Sequence, residues 1–267
     1  MAISAPAVDR YECLAVSTAD QILTVLINRP DKRNALSRAA LAEIEVAFSS
    51  HRNRQDLRAA VITGAGDISF AAGGDLKDLE SVKTADEAAA MALRAKHALD
   101  AIRSFPLPTI AALNGDALGG GAELAVACDF RIAAAHARIG FVQGRLAIST
   151  AWGGAIDLME LVGRRHALKL LATAEIVEPS RALQLGLIDE VAAPDQTLNE
   201  VVSAFIARFD VQRPQVLRAF KAVNHAYAQG AGRAGLMETE TQSFVQTWIH
   251  DDHWDAATRV LTRTKPS

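Results

Sequence analysis

The chemistry-bearing residues of this chain cluster in one short stretch. The run Asn114-Gly115-Asp116-Ala117-Leu118-Gly119-Gly120-Gly121-Ala122-Glu123-Leu124 places three glycines just ahead of an acid. A second glycine-centred run, Phe70-Ala71-Ala72-Gly73-Gly74-Asp75-Leu76, precedes it in the chain. Each follows an apolar, strand-like segment and leads into a helix-like one. Such a turn leaves backbone N–H groups pointing outward at the positive end of a helix. Taken singly, a glycine pair is an ordinary turn device that supplies positive φ or close packing. Two such turns facing each other have a second use: they can hold a negatively charged oxygen between two N–H donors. That is an oxyanion hole, usually the largest single catalytic contribution in acyl chemistry. Glu123 lies among Ala122, Leu124, Ala125, Val126 and Ala127. Apolar surroundings raise a carboxyl pKa, as a general acid/base working near neutral pH requires. In the first turn of a helix the same carboxylate would also complement the macrodipole.

The elements that must position these groups follow from periodicity. Residues 11–17 and 21–28 read as two strands of a hairpin around Thr18-Ala19-Asp20, ended by Arg29-Pro30. Ser37 is placed as an N-cap, with Leu41, Ile44 and Phe48 on one helical face. Residues 58–63 form a strand that delivers the chain into the first glycine turn. Thr84 and Glu87 make a capping box opening a helix along Met91, Leu99 and Ile102, stopped by Pro106 and Pro108. Residues 109–113 are a buried-type strand feeding the second glycine turn. A helix at 121–128 and a strand at 129–134 follow, then helices at 155–162 and 165–173. A short helix begins at Ser180 and closes at Gly186. The irregular recurrence of strand, strand, helix suits a stacked α/β core rather than a simple Rossmann sheet. After Pro194, the residues Leu198, Val201, Val202, Phe205, Ile206 and Phe209 form one helical stripe, and Pro214 opens another helix. The predicted organisation is a mixed core over 1–195 and a helical region over 196–267.

Composition narrows the function classes. Half of the 267 residues are hydrophobic, the formal net charge is −3, and no long Lys/Arg run occurs. Nucleic acid is therefore disfavoured as the main partner. The longest apolar stretch, 109–135, contains Asp116, Glu123, Asp129 and Arg131, which argues against a membrane span. Residues 1–10 lack the pattern of a secretory signal. Cys13 and Cys128 sit inside apolar runs and read as buried thiols in a reducing compartment, so a cytoplasmic protein is expected. Of seven histidines only His250 and His253 are close, and they lack partners at metal spacing. There is no G-x-S-x-G elbow, no G-x-G-x-x-G after a strand and no Walker A lysine.

The paired glycine runs resemble the signature of the crotonase (enoyl-CoA hydratase/isomerase) superfamily, and the likeness extends from about residue 11 to the C-terminus. The resemblance implies an α/β fold with a spiral core of β–β–α turns and a helical C-terminal trimerisation region. It also implies a homotrimer or dimer of trimers. The implied substrate is an acyl-CoA, with no metal and no cofactor beyond the coenzyme A of the substrate itself. By motif matching, Gly74 and Gly120 would supply the two backbone donors that bind the thioester oxygen and stabilise an enolate. Glu123 would correspond to the first catalytic glutamate of enoyl-CoA hydratases. The segment Arg29-Pro30-Asp31-Lys32-Arg33-Asn34-Ala35-Leu36 matches the family's Arg-Pro…Asn-Ala-Leu stretch. Arg29, Lys32, Arg33, Ala35 and Leu36 would thus flank coenzyme A, with basic side chains near its phosphates. Ala71, Ala72, Gly73, Asp75 and Leu76 would line its other side, and Trp152 and Gly153 would also contact the acyl-CoA. The tail Arg263-Thr264-Lys265-Pro266 loosely echoes a basic family motif.

One position departs from the hydratase pattern. Where a second glutamate is typical, Ile139-Gly140-Phe141-Val142-Gln143 supplies Gln143. A glutamine orients water or a carboxylate by hydrogen bonds but accepts no proton as a base. The run Ala151-Trp152-Gly153-Gly154 also resembles ethylmalonyl-CoA decarboxylase-like members, which share a stretch like 121–131. The first expectation is therefore a lyase of the family, hydrating or isomerising an enoyl-CoA with Glu123 as acid/base. The alternative is decarboxylation of a malonyl-type CoA. A non-catalytic module binding RNA or a protein is the third, and both the acidic balance and the retained Glu123 speak against it.

Overall fold

The computed structural model describes residues 11–263. The chain divides into two compact units, Met1–Ile206 and Ala207–Ser267. Positions 1–10, where no secretory signal is expected, and the part of the basic tail motif beyond Arg263 lie outside the described residues.

The first unit opens with the expected hairpin, strands β1 (Leu14–Ala19) and β2 (Ile22–Ile27) paired antiparallel. Its two-residue turn, Asp20-Gln21, takes φ of 51° and 65°, the positive pair that fits the right-handed twist of the flanking strands. Helix α1 (Arg38–His51) starts where Ser37 Oγ accepts from the Ala40 N–H at 3.1 Å, and it buries Leu41, Ile44 and Phe48.

The chain then winds in a repeated pattern. Strands β3 (Ala59–Gly64) and β4 (Ser69–Ala71) lead to helices α2 (Leu76–Leu79) and α3 (Ala85–Arg103). The Thr84/Glu87 capping box opens α3 as its sequence requires. Next come β5 (Thr109–Leu113), β6 (Asp116–Leu118) and helix α4 (Gly120–Val126). A third turn has β7 (Phe130–Ala133), β8 (Ile139–Gly140), a 3-10 turn over Val142–Leu146 and helix α5 (Gly154–Thr173). Gly163, with φ 76° and ψ 154°, breaks α5 into the two helices read from the sequence. Strand β9 (Ile176–Val177), helix α6 (Pro179–Gln184), strand β10 (Glu190–Val191) and helix α7 (Leu198–Ala207) complete the series.

Each turn thus gives one strand to each of two sheets and then a helix, the β–β–α spiral expected. The larger sheet runs β1-β2-β3-β5-β7-β10, parallel except for the hairpin. The smaller runs β4-β6-β8-β9, parallel except for its last pair. Strands β3 and β5 are covered on both faces and so read as continuous apolar runs. The smaller sheet is built of strands of two or three residues, too short to carry a period.

Helix α7 belongs with this unit. Val201, Val202, Phe205 and Ile206 are buried, and the Phe205 ring meets Phe130 edge-on at 5.0 Å. The compact unit therefore runs on to Ile206 rather than ending near 195: the apolar stripe of α7 is spent on the core that precedes it.

The second unit contains helices α8 (Pro214–Ala228), α9 (Arg233–Trp248) and α10 (Asp251–Arg263). Gly230, at φ 77°, lets the chain reverse after α8. Trp248, His253 and Trp254 cluster, the Trp248 and His253 rings tilted at 4.4 Å and Trp254 meeting both edge-on. Among the described residues no helix is long and apolar enough to cross a membrane.

Candidate active site

The two glycine turns meet. At Gly73, φ is 102°, and a Cβ there would lie 3.1 Å from the Leu118 carbonyl oxygen and 3.4 Å from the Gly120 nitrogen. Gly121 approaches the first turn still more closely. Its Cβ would stand 2.7 Å from the Ala71 carbonyl carbon, a contact no side chain tolerates. Glycine is required here because backbone packs directly on backbone.

Neighbouring N–H groups of the first turn are consumed by backbone bonds. Ala72 donates to the Arg33 carbonyl at 3.1 Å and Asp75 to the Leu36 carbonyl at 3.1 Å, while Leu36 returns a bond to Gly73 at 2.8 Å. The Gly74 N–H stands between those two donors and enters none of these bonds. In the second turn, Gly119 donates to the Gly140 carbonyl at 2.8 Å, and Ala122 and Glu123 donate back to Gly119 at 3.0 and 3.1 Å. Gly120 is the first residue of α4, where the helix itself provides no acceptor for an N–H.

Trp152 lies across both turns. A Cβ on Gly120 would be 2.5 Å from Trp152 Cη2, and one on Gly74 would be 3.8 Å from the same atom. The indole is buried. The Gly74 Cβ position is also 3.2 Å from Leu79 Cδ1.

Glu123, 2% exposed, is the buried acid of the site. Its Oε1 accepts from the Trp152 N–H at 2.9 Å and the Gly154 N–H at 3.1 Å, and its Oε2 accepts from Gln143 Nε2 at 2.9 Å. Burial pushes the carboxyl above its ordinary pKa, and these hydrogen bonds offset part of that rise. The carboxylate sits in the first turn of α4 and faces the start of α5. A Cβ on Gly154 would fall 2.7 Å from Glu123 Cβ, so α5 must begin with glycine to come this close. Gln143 is also buried, and its Oε1 has no hydrogen-bond partner.

Arg103, at the end of α3, has a role that sequence reading did not isolate. Its Nη2 donates to the Trp152 carbonyl at 3.0 Å and to Asp157 Oδ2 at 2.7 Å. Gly153, at φ 100°, leaves room for this guanidinium, since its Cβ would meet Nη2 at 2.7 Å. The Trp152 residue is thereby held from both sides, its carbonyl by Arg103 and its N–H by Glu123. A basic residue in the last turn of a helix is common, so nothing in the pattern marked this one. Gly154 was legible only as part of the Trp-Gly-Gly run.

The segment matched to coenzyme A divides in two. Arg29 pairs with Asp75 at 2.8 Å and donates to the Ala35 carbonyl. Its guanidinium holds the Asp75 carboxyl below the usual range, and Asp75 in turn caps α2. Asn34, buried at φ 56°, donates to the Ala65 and Ser69 carbonyls at 3.0 and 2.7 Å. Arg29, Asn34, Ala35 and Asp75 therefore knit the N-terminal segment to the first glycine turn. Leu36, Ala71 and Gly73 are buried and Ala72 is half-buried, whereas Lys32, Arg33 and Leu76 are exposed. The structure brings Gly74, Gly120, Glu123, Gln143, Trp152 and Gly153 into one site; Lys32 and Arg33 stand at the surface beside the 3-10 turn Pro30–Lys32.

Comparison with known proteins identifies the family. Residues 17–267 match the model of the family described as enoyl-CoA hydratase/isomerase. Crotonyl-CoA hydratase of Syntrophomonas wolfei is 33% identical over 256 residues, covering 96% of this chain and 97% of that protein. Ethylmalonyl-CoA decarboxylase of Xenopus laevis is 38% identical over 172 residues, covering 64% of this chain and 57% of that protein. The solved enoyl-CoA hydratase of Bacillus anthracis superposes with a TM-score of 0.86 at 28% identity, over 96% of this chain and 98% of that one. By sequence over nearly its whole length and by fold, this chain belongs to the enoyl-CoA hydratase/isomerase (crotonase) family of acyl-CoA enzymes.

Proposed function

We propose that the protein binds an acyl-CoA with its thioester oxygen between the Gly74 and Gly120 N–H groups and uses Glu123 as the proton carrier, hydrating or isomerising an enoyl-CoA. The observation that carries this reading is the buried, hydrogen-bonded Glu123 beside two glycine turns that approach within backbone contact. A thioester carbonyl is weakly resonance-stabilised and its α-proton comparatively acidic, so two fixed N–H donors favour the enolate over the ground state. Glu123 Oε1 accepts from the Trp152 and Gly154 backbone N–H groups and Oε2 from the Gln143 side-chain amide, which fixes the carboxylate in place.

Isomerisation needs one such group, which takes a proton from one carbon and returns it to another. Hydration asks more. Gln143 is able to hold a water through its unpartnered Oε1 but not to deprotonate it, so Glu123 would serve both the water and the α-carbon. Lys32 and Arg33, both exposed, would meet the phosphates of coenzyme A. Helices α8–α10 expose Phe220, Tyr227, Phe244, Trp248 and Trp254, which suits the oligomer contacts of a trimer or dimer of trimers.

Gln143 also favours a second reading. Loss of carbon dioxide from a malonyl-type CoA breaks the bond between Cα and the carboxylate, leaves its electron pair as the same enolate, and needs a single proton at Cα. No second carboxylate takes part. The relative named ethylmalonyl-CoA decarboxylase is consistent with it.

The test is a panel of crotonyl-CoA, longer enoyl-CoAs, and methyl- and ethylmalonyl-CoA, read by mass spectrometry and NMR. Gain of water or migration of the double bond supports the first reading, and loss of carbon dioxide the second. No turnover and no binding of any acyl-CoA would leave only a non-catalytic binding module.

A further inference from the structure

Gln143 and Glu123 meet through a hydrogen bond that leaves one atom over. The Gln143 amide donates from Nε2 to Glu123 Oε2 at 2.9 Å, while its Oε1, buried in the same site, has no partner among the described residues. The stretch that carries Gln143 is seated against the second glycine turn. There the Gly119 N–H donates to the Gly140 carbonyl at 2.8 Å, and a Cβ on Gly119 would lie 3.9 Å from Val142 Cγ2. Glu123 follows Gly120 by three residues on α4, so the two share a face of that helix. On the acyl-CoA reading, the carbons that follow a thioester carbonyl held at Gly120 have this pair as their polar neighbour.

An amide that turns over keeps its outline and exchanges a donor for an acceptor. When Glu123 is ionised, Oε2 accepts, so Gln143 turns Nε2 toward it and Oε1 is the atom left over. When Oε2 carries a proton, the O–H donates, so Gln143 turns its oxygen to Glu123 and an N–H is left over. A buried polar atom without a partner is unfavourable in either state, and a ligand of matching polarity removes that cost. Charged side chains on the elements packed around the pair are engaged elsewhere. Arg103 of α3 binds Asp100 at 2.6 Å and Asp157 of α5 at 2.7 Å, and Arg145 of the 3-10 turn donates to the Ala174 carbonyl at 2.7 Å. Glu160, Arg164, Arg165, His166 and Lys169 of α5 are exposed.

We infer that Gln143 reads the polarity of the oxygen carried by the third acyl carbon, and that the proton on Glu123 sets which polarity it reads. Ionised Glu123 selects a hydroxyl, which donates to Gln143 Oε1. Protonated Glu123 selects a carbonyl or carboxylate oxygen, which accepts from Gln143 Nε2. The inference rests on the acyl-CoA reading above and deepens it: 3-hydroxyacyl thioesters belong to one state of the pair and malonyl-type thioesters to the other.

Binding of two unreactive ligands tests it apart from the reaction. In 2,2-difluoro-3-hydroxybutyryl-CoA the hydroxyl is a donor, and the α-carbon has no proton to lose with water. In sulfoacetyl-CoA a sulfonate stands for the malonyl carboxylate and cannot leave as carbon dioxide. Butyryl-CoA, with neither group, is the reference. Calorimetric titrations of the full-length protein run from mildly acidic to neutral pH. Affinity for the hydroxyl ligand should rise with pH as Glu123 ionises, and affinity for the sulfonate should fall. Their ratio should change by up to about tenfold per pH unit. The hydroxyl arm is decisive, because plain charge repulsion from Glu123 acts on the sulfonate and not on it. In Gln143→Met, checked for folding by thermal melting, the hydroxyl arm should become flat. In Glu123→Gln both arms should become flat, which keeps the test open if the first variant unfolds. A flat hydroxyl arm in wild type, a rise that survives either substitution, or binding of butyryl-CoA with neither polar ligand would overturn the inference while sparing the acyl-CoA reading. Failure of every acyl-CoA to bind would remove both.

Discussion

The side-chain amide of Gln143 donates to Oε2 of Glu123 at 2.9 Å, so the group standing where a second carboxylate is typical is already bonded to the first. Placing glutamate there would set two carboxyls in direct contact. Two carboxylates sharing a site titrate as a pair, one proton being held well above the ordinary range. Gln143→Glu should therefore raise crotonyl-CoA hydration at least tenfold, on the scale of one added acid/base group. It should lower any malonyl-type decarboxylation, because the new charge repels the substrate's own. Steady-state rates of both reactions check this. Fast wild-type hydration, unimproved by the substitution, would mean that the missing glutamate is of no consequence.

A second expectation concerns pH. Burial raises the Glu123 carboxyl above its ordinary value of 4.5. As a base it acts ionised, so kcat should climb with pH along a limb lying above that value. Stability should move the other way. The folded protein holds this proton more tightly than the unfolded chain, so the contribution of Glu123 is full below about 4.5 and is lost as pH rises through the raised folded value. Glu123→Gln removes that loss. Its amide oxygen still accepts from Trp152 and Gly154, and a rotated Gln143 offers its unpartnered oxygen to the new N–H. Urea unfolding of the two proteins should show the variant gaining stability relative to wild type as pH increases. A difference that is constant with pH would mean Glu123 titrates alike in both states.

Arg103 yields a third. Arg103→Met frees the Trp152 carbonyl and leaves Asp157 without its guanidinium in a site where both side chains are 16% exposed. Breaking a buried pair costs up to about 3–5 kcal/mol, so the melting temperature should fall. More specifically, a looser Trp152-Gly153-Gly154 segment donates less well to Glu123, and the acidic limb of the pH–rate profile should move to higher pH. Arg103→Lys should recover part of both effects. A variant with lower stability and an unmoved limb would reduce Arg103 to a packing role.

Glycine positions can be ranked by what a methyl would strike. Gly121→Ala drives a Cβ into the Ala71 peptide, 2.7 Å from its carbonyl carbon. It should destabilise by at least about 1–3 kcal/mol, the usual scale of overpacking. Gly74→Ala meets Leu79 Cδ1 at 3.2 Å, the end of a flexible side chain, and the Trp152 ring at an ordinary 3.8 Å, and should fold with nearly wild-type stability. Chemical denaturation of the pair checks the order, and equal stabilities would contradict the close approach of the two turns.

These contrasts also show which features the sequence exposes. The first hairpin, the Ser37 cap and the Thr84/Glu87 box depend on residues within a few positions of one another, so local chemistry announces them, although the hairpin turns at Asp20-Gln21 rather than around Thr18-Ala19-Asp20. That the two glycine runs could face each other was read from each lying between a strand-like and a helix-like segment; that Gly73 is the residue packed against the Gly120 nitrogen was not. The smaller sheet was not legible, since strands such as Ile139–Gly140 are too short for a period. The resemblance implied that Arg29 flanks coenzyme A; its ion pair with Asp75, 46 positions away, lies beyond any local pattern. Arg103 and Asp157 escaped for the same reason, being joined only by the fold. The stripe of α7 was visible as a helix, but its burial against the first unit was not.

The most direct test of enolate formation at Glu123 needs no knowledge of the natural reaction. Butyryl-CoA incubated with the enzyme in deuterated water should acquire deuterium at its α-carbon, followed by NMR. Glu123→Gln should still bind butyryl-CoA, by calorimetry, and exchange at least about 10²-fold more slowly, the lower scale for loss of one general base. Exchange that proceeds equally fast in Glu123→Gln, or that never occurs in wild-type protein that binds the thioester, would contradict proton transfer by Glu123 to an enolate held between Gly74 and Gly120.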